Sequence, residues 1–345
     1  MILSHLRLDS PIFRFSLRVA MAISVGLLVA AQLPYAAHSY WIVLTIVIIL
    51  KPSFSMTKQR RSDRIVGTII GCVVTAVIIK YLNYPGAILG ILILSTVATP
   101  TFIYLRYRYA AIAVSIMILL QMHLIAPGNA NLIIERLTDT FIGAAVATAF
   151  SFVLANWEYQ SLPRLIREVL GVNLRYVQAS FDLLQGKGKD DFAYRIERKR
   201  LMDSLAALSS ALVRMLDEPN SKQRAVEDIN LFIVQNYLLV AHVAALRAIL
   251  RRHAKELPVA AVNVMLAHSH DQVCRILARA LQQHGQTVAV AVAPHSGATA
   301  ATAAPTPQVP WSGWPLVQRR IRLLQADADK IIVHSQAIVR DVAPA

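Results

Sequence analysis

Apolar residues run in long unbroken blocks through the first half of the chain and recur every three or four positions through the second. Six blocks, 15–33, 35–50, 65–81, 86–102, 109–125 and 138–154, come near the roughly 20 residues that a helix needs to cross a ~30 Å hydrocarbon core. Only a helix can do so without stranding backbone polar groups in lipid, short of a closed barrel. From Ser161 the pattern turns amphipathic and predicts helices at 163–185, 192–216, 221–254, 258–284 and 316–340. Gly186-Lys-Gly188-Lys-Asp and Asp217-Glu-Pro219-Asn220 supply turns between them. The predicted fold is all-α: a six-helix transmembrane bundle over 1–160, then a cytoplasmic antiparallel helical bundle over 161–285. An Ala/Thr/Pro-rich stretch at 286–313 reads as a linker. A last helix over 314–345 carries Ile321, Leu324, Ile331 and Ile338 on one side, to dock on the bundle or on a second subunit.

Three segments need arbitration. The first block follows Arg14 and Arg18 and contains Val29-Ala30-Ala31, so it has the look of a cleavable leader. Five further apolar blocks make it a retained anchor. The second opens on Tyr40-Trp41, a pair suited to a membrane interface, and its purely apolar part, 41–50, is short and bracketed by Pro34 and Pro52. It lines a polar cavity as a broken helix does in transporters, or it is accommodated by local thinning or packing within the bundle. The stretch 229–250 is apolar enough for a seventh span. Its Gln235, Asn236, His242 and Arg247 favour a buried helix of the soluble bundle instead.

Charge sharpens this division. Of 345 residues, 56% are hydrophobic and only 16% are charged, against about a quarter in soluble domains. The formal net charge is +15. Much of it flanks apolar blocks, which points to an anionic lipid surface and small anions rather than nucleic acid. Arg7, Arg14 and Arg18 precede the first block, and Lys51, Lys58, Arg60, Arg61 and Arg64 fill a basic loop between the second and third. Arg106 and Arg108 join the fourth to the fifth, and Arg164 and Arg167 follow the sixth. The opposite side holds only Lys80 and Arg136. Cations retained on the inner side therefore predict six crossings with both termini in the cytoplasm. Cys72 and Cys274 lie far apart in sequence and in different settings, so no disulfide or metal framework is expected.

Chemistry within apolar helices is the other signal. Arg14 and Arg18 stand one helical turn apart, either reaching to headgroups or lining an anion vestibule. Asp139 lies one turn inside the sixth block beside Glu135 and Arg136. It is an ion-pair partner of Arg136 or a protonation site for coupled transport. Gly67, Gly71 and Gly143 permit close helix packing. Enzyme signatures are lacking: there is no Walker lysine loop, no Gly-x-Ser-x-Gly and no close cysteine pair. In His268-Ser-His270-Asp271 the two histidines point in different directions on a helix and cannot share a metal. No cofactor, metal or catalytic residue is expected.

Several of these segments together carry a family resemblance. Phe13-Arg-Phe-Ser-Leu-Arg18-Val, Tyr40-Trp41-Ile-Val-Leu-Thr45, Lys51-Pro52 and Arg64-Ile-Val-Gly67-Thr68 resemble the fusaric acid resistance protein family, also called aromatic acid exporters. So do Glu135-Arg136-Leu-Thr-Asp139-Thr140-Phe-Ile-Gly143, Asn156-Trp157, Tyr194-Arg195, Ala207-Leu208-Ser209-Ser210 and Glu218-Pro219, over roughly 10–255. Within the family the similarity is greatest to YccS-type inner-membrane members. The resemblance implies a six-helix membrane unit, a cytoplasmic helical domain and efflux of aromatic carboxylates or similar organic anions across a bacterial inner membrane, in some members with a periplasmic membrane-fusion adaptor. Members often hold two such halves in one chain. Only the later half is present here, so a homodimer supplies the second bundle or the chain is a shortened version. The expected anion path runs between the first three spans, past Trp41 and Thr45, with Arg18, Lys51, Lys58, Arg60 and Arg64 drawing anions to its mouth. Asp139 with Arg136 is the expected coupling site if protons drive export. The alternative is a scaffold that transports nothing and binds partner proteins through its helical domain.

Overall fold

A computed structural model describes residues 10–33, 40–82, 84–125, 131–186, 191–285 and 311–342. Arg7, Pro34, the Gly188 turn and most of the 286–313 linker lie outside the described residues. The chain is all-α, with no strand among the described residues. It divides into two compact units, Met1–Trp157 and Glu158–Ala345.

The first unit contains α1 (Pro11–Ala31), α2 (Tyr40–Ile49), α3 (Phe54–Tyr81), α4 (Pro85–Leu105), α5 (Tyr107–Ile125) and α6 (Leu132–Phe152). Prolines at the starts of α1 and α4 fit there because the first helical amides need no intrahelical acceptor. By length and composition α1, α3, α4 and α5 can each cross a bilayer. The described part of α2, 10 residues, is about 15 Å long. It packs on α6 and α1. α6 has the length of a span and carries Glu135, Arg136 and Asp139 in its first two turns.

The basic loop expected before the third span is not a loop. α3 begins at Phe54, so Lys58, Arg60, Arg61 and Arg64 ride on the first turns of a 28-residue helix. Pro52 stops α2 and Ser53 precedes α3, while nothing between Phe54 and Arg64 breaks a helix. Reading the loss of hydrophobicity as a turn placed the boundary about ten residues late.

Glycines set the closest helix approaches. A Cβ on Gly67 would lie 2.5 Å from Ala111 Cβ and 3.0 Å from the Arg108 carbonyl, and one on Gly71 would lie 2.6 Å from Ser115 Cβ. Thus α3 and α5 touch nearly backbone to backbone. A Cβ on Gly143 would meet Thr45 Cβ at 2.8 Å and the Ile42 carbonyl at 3.0 Å, which seats α2 against α6 in the same way. α4 instead turns Leu89, Ile93, Leu94 and Val97 outward. An apolar outer surface of this kind suits hydrocarbon surroundings.

The second unit opens on a 3₁₀ turn, Glu158–Ser161, followed by α7 (Leu162–Leu184), α8 (Phe192–Leu216), α9 (Val226–Arg252), α10 (Val259–Gln283) and α11 (Trp314–Val342). α7 buries Leu162, Leu165, Ile166, Val169, Leu170, Val177 and Phe181 at helical spacing against α8 and α10. α9 is long and apolar enough for a span. Half of its most apolar window is nevertheless buried, more than in any other helix of that class, and it packs on α11. Three of its polar residues find partners on α7 and α11. Asn173 donates to Asn236 at 2.6 Å, His242 Nδ1 meets Asp327 at 2.6 Å, and His334 Nδ1 meets Asp228 at 2.9 Å.

Candidate functional site

The site is built from one face each of α2, α3 and α6. On α3, Arg61, Arg64, Thr68 and Cys72 recur at three- and four-residue intervals and so share a side. On α6, Arg136, Asp139, Thr140 and Gly143 do the same, and the two helices pack together. Arg61 donates to the Thr148 hydroxyl at 3.0 Å, tying the cationic start of α3 to the later half of α6. α2 contributes Trp41 and Thr45, both buried.

Burial is nearly complete. Arg136 and Asp139 are 0% exposed and Arg64 is 1% exposed. The Arg136 guanidinium lies over the Trp41 ring, 4.8 Å from its centre, in a cation–π contact. Arg64, Cys72, Asp139 and Tyr40 are near enough to act on the Arg136 charge. Arg64 Nη1 reaches the Tyr107 hydroxyl at 3.5 Å. Its Nε and Nη2, and all three guanidinium nitrogens of Arg136, have no hydrogen-bond acceptor among the described residues. The hydroxyls of Thr45 and Thr68 are buried and without a partner in the same sense. A charge held this way costs several kcal/mol unless something of opposite sign meets it. Two guanidinium groups against one Asp139 carboxylate leave a positive excess facing buried hydroxyls and an aromatic ring. An anionic group placed there would offset that excess.

The structure thus brings together Trp41, Thr45, Arg64, Arg136 and Asp139, and leaves the other expected path residues elsewhere. Arg18 is buried, but its Nη2 donates to the carbonyls of Lys51 at 2.9 Å and Pro52 at 3.1 Å. It closes the end of α2. The Lys51 amide donates to the Thr57 hydroxyl at 3.0 Å in the same turn. Lys58 is exposed. Arg60 lies 4.3 Å over the Tyr107 ring, beside a cavity of about 440 Å³ lined also by Gln59, Asp63 and Arg106. Arg108 pairs with Asp63 at 3.0 Å on its rim. Gly67 and Gly71 of α3 pack against α5, and Gly143 of α6 packs against α2 directly beside the site.

Thr68 and Tyr107 belong to the site and were missed in the sequence. Thr68 was legible as the residue one turn beyond Arg64. Nothing in the local pattern marks Tyr107, because only the α3–α5 packing brings it to Arg64. Among the described residues no group of three His, Cys, Asp or Glu side chains could hold a metal ion.

Residues 19–150 match the family model described as fusaric acid resistance protein-like. The chain is 27% identical to the inner membrane protein YccS of Escherichia coli K12 over 274 residues, which is 79% of this chain and 37% of that protein. It is 30% identical to an uncharacterized protein of Haemophilus influenzae over 249 residues, covering 72% of this chain and 34% of the relative. An uncharacterized protein of Neisseria gonorrhoeae, ORF2, is 30% identical over 220 residues, or 62% of this chain and 52% of its own. The chain therefore spans between about a third and a half of the length of these relatives. With its long apolar helices, it is a multi-pass membrane protein.

Proposed function

Since residues 19–150 belong to the fusaric acid resistance protein-like family, we propose that the chain exports organic anions, aromatic carboxylates among them, through the membrane unit. One observation carries this reading: the guanidinium groups of Arg64 and Arg136 are fully buried, short of acceptors, and set beside Trp41 and Asp139. A carboxylate entering between α2, α3 and α6 would satisfy the guanidinium donors, and its ring would lie against Trp41. Cations at the start of α3 and around the 440 Å³ cavity would concentrate anions at the mouth. Asp139 would release or take a proton as the anion arrives, coupling the two if protons drive export. The membrane is a bacterial inner membrane, with both termini cytoplasmic. A homodimer, and a periplasmic adaptor where one exists, complete the assembly.

The test is efflux of radiolabelled benzoate from cells producing matched amounts of the chain. Arg136→Gln should reduce efflux by about tenfold or more, since loss of one partner of a buried charge contact costs ~2–5 kcal/mol. Arg64→Gln should do the same. Unchanged efflux in both variants at normal abundance would overturn the reading.

A further inference from the structure

A cluster of arginines lines a groove outside the membrane unit. α7 and α8 enclose a groove of about 620 Å³, within the size range of small-ligand sites. Its walls carry Arg164, Arg167 and Arg175 from α7 and Arg200 from α8. Small residues, Gly171 on α7 and Ala207 on α8, keep it open between those walls.

The four arginines differ in how they are occupied. Arg175 and Arg200 share one carboxylate, Glu197, at 3.3 Å and 2.5 Å. Both arginines are more than half exposed, so these pairs contribute at most about 1 kcal/mol and exchange readily. Arg167 uses its Nε on the Pro163 carbonyl at 3.2 Å, which leaves its Nη groups for the groove. Arg164 makes no hydrogen bond or ion pair among the described residues. One end of the groove therefore presents two adjacent guanidinium groups with capacity to spare. Midway stand Glu168 and Asp203, which can accept hydrogen bonds from a ligand but repel a bare anion.

We infer that this groove binds a hydroxylated phosphoester, with the phosphoryl group on Arg164 and Arg167 and ligand hydroxyls on Glu168 and Asp203. Guanidinium pairs match phosphate oxygens bidentately, and charge-assisted bonds of that kind are about twice as strong as neutral ones. A glycerophosphate unit has this chemistry, whether as a free metabolite or as the headgroup of an anionic lipid.

Hydrogen exchange on the purified full chain tests the inference and separates the two sources. In detergent, millimolar glycerol 3-phosphate should slow exchange across residues 164–175 if the ligand is soluble. In nanodiscs, phosphatidylglycerol should slow the same amides relative to phosphatidylcholine alone if it is a headgroup. Two variants accompany each arm: Arg164→Gln with Arg167→Gln, which removes the cations, and Ala207→Leu, which fills the groove without changing charge. Arg164 and Ala207 are exposed and Arg167 is only half-buried, so the fold is retained. Protection that falls by about tenfold in apparent affinity in both variants supports the site. No protection in either arm, or protection that survives either variant, overturns it.

Discussion

The guanidinium of Arg136 rests 4.8 Å from the centre of the Trp41 ring, although 95 positions separate the two residues in sequence. The contact joins α2 to the helix that buries an arginine and an aspartate within its first two turns. A desolvated cation–π contact contributes ~2 kcal/mol. Trp41→Leu should therefore weaken the apparent affinity for benzoate by up to roughly thirtyfold, while Trp41→Phe should keep part of it. Concentration-dependent efflux from loaded cells reads both.

Close helix contact at Gly143 predicts a steric effect. Gly143→Ala places a methyl 2.8 Å from Thr45 Cβ and 3.0 Å from a backbone carbonyl, neither of which is the yielding end of a side chain. A loss of about 1–3 kcal/mol is expected, as for other overpacked positions. Gly90→Ala is the control, because no atom lies within 4 Å of its added carbon. Thermal unfolding of the purified chain in detergent should separate the two.

Arg18 predicts an effect on structure rather than on anion selectivity. Its bonds to the Lys51 and Pro52 carbonyls hold the end of α2. Arg18→Met should cost about 1.5–3 kcal/mol, the usual range for hydrogen bonds to a charged group. It should also speed amide exchange at 51–57, while the ranking of transported anions stays the same.

Glu218 predicts a pH effect in the second unit. Burial pushes its carboxyl up to about 7, helped by the nearby Glu158 carboxylate and opposed by the Glu158 amide, which donates to it at 3.0 Å, and by Arg214. A carboxyl with a raised folded pKa holds its proton more tightly when folded than when unfolded. Its contribution is therefore fully present below about 4.5 and is lost as pH rises through about 7. Glu218→Gln should raise the melting temperature at pH 8, and the advantage should shrink towards pH 5. A constant difference across that range would exclude the titration of Glu218 as its cause.

Much of the all-α layout could be read along the chain because apolar length and helical periodicity are local properties. The helices found at Phe192–Leu216 and Val259–Gln283 lie within a residue of the expected 192–216 and 258–284. The start of α3 could not be read in this way. Hydropathy falls at Lys58, but helix continuation depends on backbone tolerance, and Met56 through Arg64 all tolerate a helix. Arg136 and Asp139 stood out because ionisable groups three apart in an apolar helix need an explanation. Their neighbours did not. The meeting of Arg136 with Trp41, and of Arg64 with Tyr107, follows from the close approach at Gly143 and at Gly67 and Gly71. Sequence spacing says that such glycines allow contact but not which helix they contact. Arg18 shows the same limit: its charge suggests a headgroup or an anion, and only the tertiary fold shows that it also bonds the carbonyls at the end of α2.

α3 is one uninterrupted rod of 28 residues, about 42 Å long at ~1.5 Å per residue. A cation on a loop can swing by itself, but one fixed to a rod cannot. Twisting or sliding α3 would carry Arg60, Arg61 and Arg64 together and shear the glycine seam against α5 in the same stroke. Any opening of the bundle that moves this helix is thus mechanically geared: the entrance and the interior must change in step.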